Sequence, residues 1–107
     1  MIYELRIYDT VPGRMQALHD RFQNVTLKLF QKHGIRVVGF WEAVVGQTNR
    51  LYYMLQYESL ADRERRWDAF MSDAEWQKAR AASEKDGAIV AKVNNIILKP
   101  TAYSPMK

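Results

Sequence analysis

The chain switches between two hydrophobic periods in an order that few folds accommodate. Apolar residues alternate with period two in IYELRIYD (residues 2–9), and the same period returns in 35–45, 51–57 and 88–98. Between and after these segments the spacing changes to steps of three and four. The first such helical stripe consists of Met15, Leu18, Phe22, Val25 and Leu29.

Residues that favour turns or helix ends separate these segments, because they fit the backbone angles of turns or bond the free N–H groups of a helix start. They are Pro12 and Gly13, Gly34 after the first helix, the loop 46–50, the cap-like pairs Ser59 with Asp62 and Ser72 with Glu75, Gly87 and Pro100. Two caps close together predict a second helical region in two pieces. The resulting order, β-α-β-β-α-β, is typical of a ferredoxin-like α+β fold with a four-stranded antiparallel sheet.

Strands two and three carry apolar residues on both faces, although helices can cover only one face of such a sheet. Alternation places Val38, Phe40 and Val44 opposite Val37, Trp41, Ala43 and Val45 in strand two, and Leu51, Tyr53, Leu55 and Tyr57 opposite Tyr52 and Met54 in strand three. The uncovered face would exceed the few hundred Å² of apolar patch usual for a soluble monomer. We therefore predict a homodimer joined sheet to sheet.

Composition sets the remaining bounds. The 107 residues, 48% hydrophobic and 26% charged, predict one folded domain over 1–99 with a short C-terminal tail, 100–107. No apolar run approaches the ~20 residues that span a bilayer, and the strand-like start resembles neither a signal nor a transit peptide. The absence of cysteine excludes disulfides, thiolate metal sites and cysteine nucleophiles, and we expect a cytoplasmic location.

The net charge of +4 raises the question of nucleic acid binding. The densest basic cluster is RERR (63–66), which stands beside Asp62 and Asp68. No nucleic-acid-binding motif accompanies it, so we interpret the cluster as a solvated helix face and expect no nucleic acid partner.

Several stretches together resemble the NIPSNAP family over nearly the whole chain, from Ile2 to Leu98. They are YELRIY, the proline and glycine before the first helix, LFQKHGIRVVGFWEAVVG, TNRLYYMLQYESLADRERR and DAEW. The family is similar in fold to dimeric α+β barrel proteins, in which two ferredoxin-like sheets close against each other. The resemblance therefore implies the same sheet-covering partner that the apolar pattern predicts.

The resemblance implies little about a reaction. Eukaryotic relatives are associated with mitochondria, vesicle traffic and mitophagy signalling, and this chain looks like the short, single-domain bacterial kind. The wider barrel superfamily includes small monooxygenases, haem-degrading enzymes and lactone isomerases, but a shared fold is weak evidence of shared chemistry. Relatives often carry a histidine and a tryptophan where this chain has Tyr53 and Leu55. A role that depends on that histidine does not transfer.

Candidate site residues are polar or aromatic groups on predicted strands and helices. Glu4 and Arg6 share a face of strand one, near which Gln56 of strand three is expected to lie. Paired charges inside a sheet are either a satisfied network that fixes dimer register or the polar spot of a pocket. The aromatic residues that would line a cleft between sheet and helices, or simply fill a core, are Tyr8, Trp41, Tyr53 and Trp67.

Other chemistry finds little support. His19 and His33 lie fourteen residues apart on one helix, about 21 Å along its axis, so they cannot share a metal ion within one chain. No nucleophile motif or phosphate loop occurs, and we expect no metal and no cofactor. We interpret His33 as a residue that interacts with the last carbonyls of its helix.

Two hypotheses remain. The first is a module that binds a small hydrophobic molecule or a partner protein. The second is a small cofactor-independent monooxygenase or isomerase that acts on an aromatic or cyclic substrate, with Arg6, Tyr8 and Tyr53 as polar groups.

Overall fold

The computed structural model describes all 107 residues and has the predicted order of elements. The strands are β1 (Ile2–Thr10), β2 (Arg36–Glu42), β3 (Arg50–Tyr57) and β4 (Val90–Leu98); the helices are α1 (Met15–Arg21), α2 (Leu27–Lys32), α3 (Leu60–Met71) and α4 (Ala74–Ser83), with a π-helical turn, Phe22–Thr26, joining α1 to α2. The strands are antiparallel in the order β2-β3-β1-β4. This confirms the ferredoxin-like α+β fold.

The helices cover one side of the sheet, here called the inner face, and the core lies between them. Strand β3 alternates as predicted: Leu51, Tyr53, Leu55 and Tyr57 are at most 3% exposed, whereas the residues between them are half-buried. Aromatic residues from the helices, Phe22, Phe30, Phe70 and Trp76, complete this core. No helix combines the length and apolar content that crossing a bilayer requires.

Strand β2 is shorter than predicted and contains a bulge. The register with β3 shifts between Val37 and Gly39, so that Val37 and Phe40 both pack against the core although simple alternation would separate them. The strand ends at Glu42. Val44 and Val45, which we expected in the strand, lie in the following loop and are fully exposed.

The second helical region begins and restarts at two caps. The Ser59 hydroxyl accepts a hydrogen bond from the Asp62 N–H at 3.1 Å, as predicted. The second cap lies one residue later than expected: the Asp73 carboxylate accepts from the Glu75 N–H at 2.8 Å, whereas Ser72 ends α3.

Gly34 terminates α2 in the left-handed conformation, with φ of +70°. The N–H of Ile35 donates to the Phe30 carbonyl and the N–H of Gly34 to the Gln31 carbonyl, which is the Schellman pattern. The predicted role of His33 was wrong in detail. Its imidazole bonds the Asp73 carboxylate at 2.7 Å, so it joins α2 to α4 rather than closing its own helix.

We expect Gly34→Ala to destabilise the fold by more than Gly13→Ala. Both glycines have positive φ, which costs an alanine about 1–2 kcal/mol. A methyl group on Gly34 would also displace the Arg66 guanidinium, which donates to the His33 carbonyl at 3.3 Å, whereas a methyl group on Gly13 meets open space. Urea denaturation of the two variants measures the difference, and equal losses would contradict this role of Arg66.

Candidate functional site

Two charged residues of the central strand β1 face the helices instead of the solvent. Glu4 lies opposite Leu55 and Arg6 opposite Tyr53, so both belong to the inner face. Glu4 is 0% and Arg6 is 8% exposed, and the Arg6 Nη1 donates to the Glu4 Oε2 at 2.9 Å. Burial of this kind is stable only when the charges are paired and hydrogen-bonded.

The Glu4 carboxylate collects donors from three elements. Besides Arg6, Arg63 of α3 donates through Nε to Oε1 and through Nη2 to Oε2, each at 2.9 Å, and Asn95 of β4 donates to Oε2 at 2.9 Å. Burial raises the pKa of Glu4, but the hydrogen bonds from Arg63 and Asn95 and the two guanidinium charges outweigh it. The pKa of Glu4 therefore lies below its ordinary value, and one carboxylate serves two arginines.

The other side of the Arg6 guanidinium meets two phenols. Its Nε donates to the Tyr53 hydroxyl at 2.7 Å and its Nη2 to the Tyr8 hydroxyl at 3.3 Å; the two hydroxyls lie 2.7 Å apart. The Arg6 Cζ also lies 4.3 Å from the centre of the Trp67 ring, within cation–π range. Burial and the neighbouring Tyr8 raise the pKa of Tyr53 well above its ordinary value despite Arg6, so its phenol is neutral at pH 7.

A cavity of about 290 Å³ lies beside this cluster, between the inner face and the helices. Arg6 and Tyr8 form part of its wall. A row of aromatic rings from α3 and α4 forms another part, with ring centres 5.3 Å apart for Trp67 and Phe70 and 4.8 Å for Phe70 and Trp76. Its size is near the lower end for small-molecule sites, which suits a compound of one or two rings.

The π-helical turn contributes a third part of the wall. In a π turn, residues five apart come one above the other, so Arg21 and Thr26 both reach the cavity together with Phe22. The Thr26 hydroxyl donates to the Arg21 carbonyl at 3.3 Å, across the wide turn. The stripe of apolar residues correctly predicted a helix here, but not this local widening.

Five of the seven predicted candidate residues come together: Glu4, Arg6, Tyr8, Tyr53 and Trp67. The predicted position of Gln56 was wrong: it pairs with Tyr3, and this register puts it on the outer face, the side of the sheet without helices. Trp41 pairs with Tyr52, also on the outer face by register, and it borders a separate open cleft of about 330 Å³ at the edge strand β2, together with Phe22 and Leu27. Gln56 donates to the Tyr3 hydroxyl on the outer face, and the half-exposed Trp41 ring lies over Gly39.

The interpretation of 63–66 as a solvated helix face was also wrong in part. Arg63 binds Glu4, while Arg65 and Arg66 donate to Asp62, whose side chain is 7% exposed. A signal for Arg63 was present in the sequence. Residues 63, 67 and 70 have the i, i+4, i+7 spacing of one helix face, and this face is the one that Trp67 and Phe70 bury.

The chain is thus a ferredoxin-like α+β protein whose sheet carries a buried Arg–Tyr cluster beside an aromatic-walled cavity. The chain belongs to the NIPSNAP family, whose model matches residues 3–105. It is 30% identical over 77 residues to NipSnap homolog 3B of Mus musculus, an alignment that covers 71% of this chain and 30% of the mouse protein. The chain thus spans less than a third of that relative's length.

Solved structures agree on the fold. A NIPSNAP family protein from Agrobacterium tumefaciens superposes with a TM-score of 0.87 at 25% identity, covering 100% of this chain and 94% of that one. A protein of the antibiotic biosynthesis monooxygenase type from Nitrosomonas europaea superposes with a TM-score of 0.64 at 10% identity, covering 94% and 98%. The second likeness extends to the fold alone.

Proposed function

We propose that this NIPSNAP protein binds a small, flat, largely apolar molecule in the cavity between the inner face and the helices. The single observation that carries the proposal is the juxtaposition of a 290 Å³ aromatic-walled cavity with the buried Arg6 and Tyr8 on its wall. Aromatic rings supply apolar contact area, and a few convergent polar groups orient a ligand.

The polar network has a structural role as well, since Glu4, Tyr53 and Tyr8 accept hydrogen bonds from Arg6 without any ligand. Arg6 nevertheless has five N–H groups, of which the structure engages three. The remaining donors and the Tyr8 hydroxyl are the groups that we assign to contacts with a ligand carbonyl or hydroxyl.

Tryptophan emission provides the test of binding, because Trp67 and Trp76 line the cavity and Trp41 does not. In a Trp41→Phe background, we expect 2-acetylnaphthalene, a neutral ketone, to quench the emission saturably. Tyr8→Phe should weaken binding about fivefold, the typical value of one hydrogen bond. The proposal is wrong if quenching is absent or never saturates.

Two variants that introduce the same side chain at different places test whether the probe binds in the cavity. Ala91 lines the cavity and is exposed, so Ala91→Phe should fill part of the volume and abolish binding without disturbing the core. Ala81→Phe places the same ring on the exposed surface of α4, where it should change nothing. Equal affinities for the two variants would count against the cavity as the binding site.

The alternative is a cofactor-independent monooxygenase or isomerase acting on an aromatic or cyclic substrate. Its support is the contact of the Tyr8 hydroxyl with a guanidinium, a pair that can donate a hydrogen bond to an oxyanion forming on a ring. Oxygen uptake with a reduced naphthoquinone, compared between wild type and Tyr8→Phe, decides between binding alone and catalysis. Uptake no faster than the spontaneous reaction argues for the binding module.

We also propose that two copies pair through their outer faces. This surface carries half-buried Leu5, Ile7 and Met54 and half-exposed Trp41 and Ile96, an apolar content that a monomer would leave in water. A cytoplasmic location, for which the lack of cysteine is the support, and a folding unit over 1–99 with 100–107 as a tail stay predictions.

A further inference from the structure

The cavity has more positive than negative charge on its wall. Three arginines line it, Arg6, Arg21 and Arg80, against the single carboxylate of Glu84, whereas Lys92 at its edge pairs in register with Asp9. The Glu4 carboxylate behind Arg6 is already shared with Arg63. Uncompensated positive charge in a partly desolvated site favours an anion.

Of the two buried arginines on the cavity wall, Arg6 and Arg21, Arg21 is the less satisfied. It is 8% exposed, and its Nη1 makes only long contacts of 3.3 Å to the Ser83 hydroxyl and to Glu84. Glu84 in turn lies 3.7 Å from the Nε of Arg80, so it is divided between two guanidiniums. The Nε of Arg21 is buried and has no hydrogen-bond partner, which is uncommon for a buried donor.

The indole of Trp76 adds a second unpartnered donor to the same part of the wall. Its Nε1 is buried without a partner, and the Arg21 Cζ lies 5.5 Å from its ring centre. The aromatic row that begins under Arg6 at Trp67 thus ends at Trp76 beside Arg21. A flat molecule lying along this row has a guanidinium at each end.

We propose that the ligand is an aromatic acid, and that its carboxylate is held by Arg21 together with Arg80. This inference rests on the proposed function and specifies its ligand class. The aromatic rings of the ligand lie against Phe70 and Trp76. At the other end of the row, Arg6 and Tyr8 donate hydrogen bonds to an oxygen substituent on the ligand ring. Guanidinium–carboxylate bonds are charge-assisted and stronger than bonds between neutral groups.

The test compares two probes of nearly identical shape, 2-naphthoate and the neutral 2-naphthamide, by titration calorimetry. We expect the acid to bind about tenfold more tightly or better at low ionic strength, with the advantage shrinking as salt is added. Arg80→Gln should remove most of the preference, and Lys78→Gln, an exposed change on α4 away from the cavity, should preserve it.

The outcomes separate the two proposals. Equal affinities for acid and amide overturn the inference and leave the cavity as a binding site, whereas no binding of either probe overturns both. A preference that survives in both Arg80→Gln and Arg21→Met places the carboxylate elsewhere and also overturns the inference. Arg21 is buried, so circular dichroism must establish that Arg21→Met is folded; the exposed Arg80 gives the decisive variant if it is not.

Discussion

Replacing Glu4 with glutamine is expected to lower the free energy of unfolding by about 3 kcal/mol, because it removes the only carboxylate that Arg6 and Arg63 share. The Arg6 guanidinium would remain buried without a counter-charge. Chemical denaturation at a fixed protein concentration measures the loss. Glu58→Gln removes an exposed carboxylate 4.0 Å from Arg36 and should cost less than about 0.5 kcal/mol.

A double variant shows whether a Glu4 substitution destabilises the fold by leaving the Arg6 charge unpaired or by removing a contact. Glu4→Leu combined with Arg6→Met should be more stable than Glu4→Leu alone, because the second change removes the unpaired guanidinium. Arg63 is 24% exposed at its side chain and can turn towards water. If the double variant is no more stable than the single one, the charge of Glu4 is not what stabilises this part of the sheet.

The same carboxylate gives a defined pH dependence. Its pKa is lower in the folded than in the unfolded protein, so its stabilising contribution is present above the unfolded value of about 4.3. That contribution is lost as the pH falls through the folded pKa. The stability difference between wild type and Glu4→Gln should therefore shrink when the pH is lowered from 7 to below about 4.

Ile96→Asp is expected to convert a dimer into a monomer. Ile96 lies on β4 opposite Leu5, on the outer face, and is 51% exposed in one copy, so the change should cost the isolated fold little. In a two-fold dimer, each copy would bury one new carboxylate that has no partner. The cost of burying both carboxylates should raise the dissociation constant of the dimer at least about a hundredfold. Light scattering at micromolar concentration checks the change from twice 12.6 kDa to 12.6 kDa.

Val44→Asp is the matched control for that experiment. It replaces a fully exposed valine in the loop after β2, outside the four strands whose side chains form the outer face, and should leave the dimer intact. A wild-type protein that is monomeric at micromolar concentration, or an Ile96→Asp variant that remains dimeric, would refute pairing through the outer face.

Hydrophobic period was enough to predict the elements, because burial on one face imposes it directly on the sequence. The alternation of β3 and the stripe from Met15 to Leu29 both follow from this. The bulge at Val37 and Gly39 and the π turn do not, since each inserts one residue without changing the kind of residue that follows. Faces assigned by simple alternation consequently fail after the bulge.

The candidate site could be predicted only as far as local spacing reaches. Glu4, Arg6 and Tyr8 share a face of one strand, so their proximity is a property of β1 itself. The donation from Arg63 to Glu4 spans 59 positions and depends on how α3 crosses the sheet. The predicted position of Gln56 was wrong because it depends on the register between β1 and β3. Gln56 pairs with Tyr3 and not with Glu4, so its side chain lies on the face opposite to that of Glu4.

The set of donors around Glu4 bears on how the chain reaches its fold. Arg6 is two positions away in the sequence, but Arg63 and Asn95 are 59 and 91 positions away. The carboxylate therefore lacks some of its hydrogen-bond donors until β1, α3 and β4 have all assembled. Partly assembled states that bury Glu4 early are penalised, and those that leave it in water form no central strand. Such long sequence separations slow folding, and we expect β1, α3 and β4 to close around this carboxylate together.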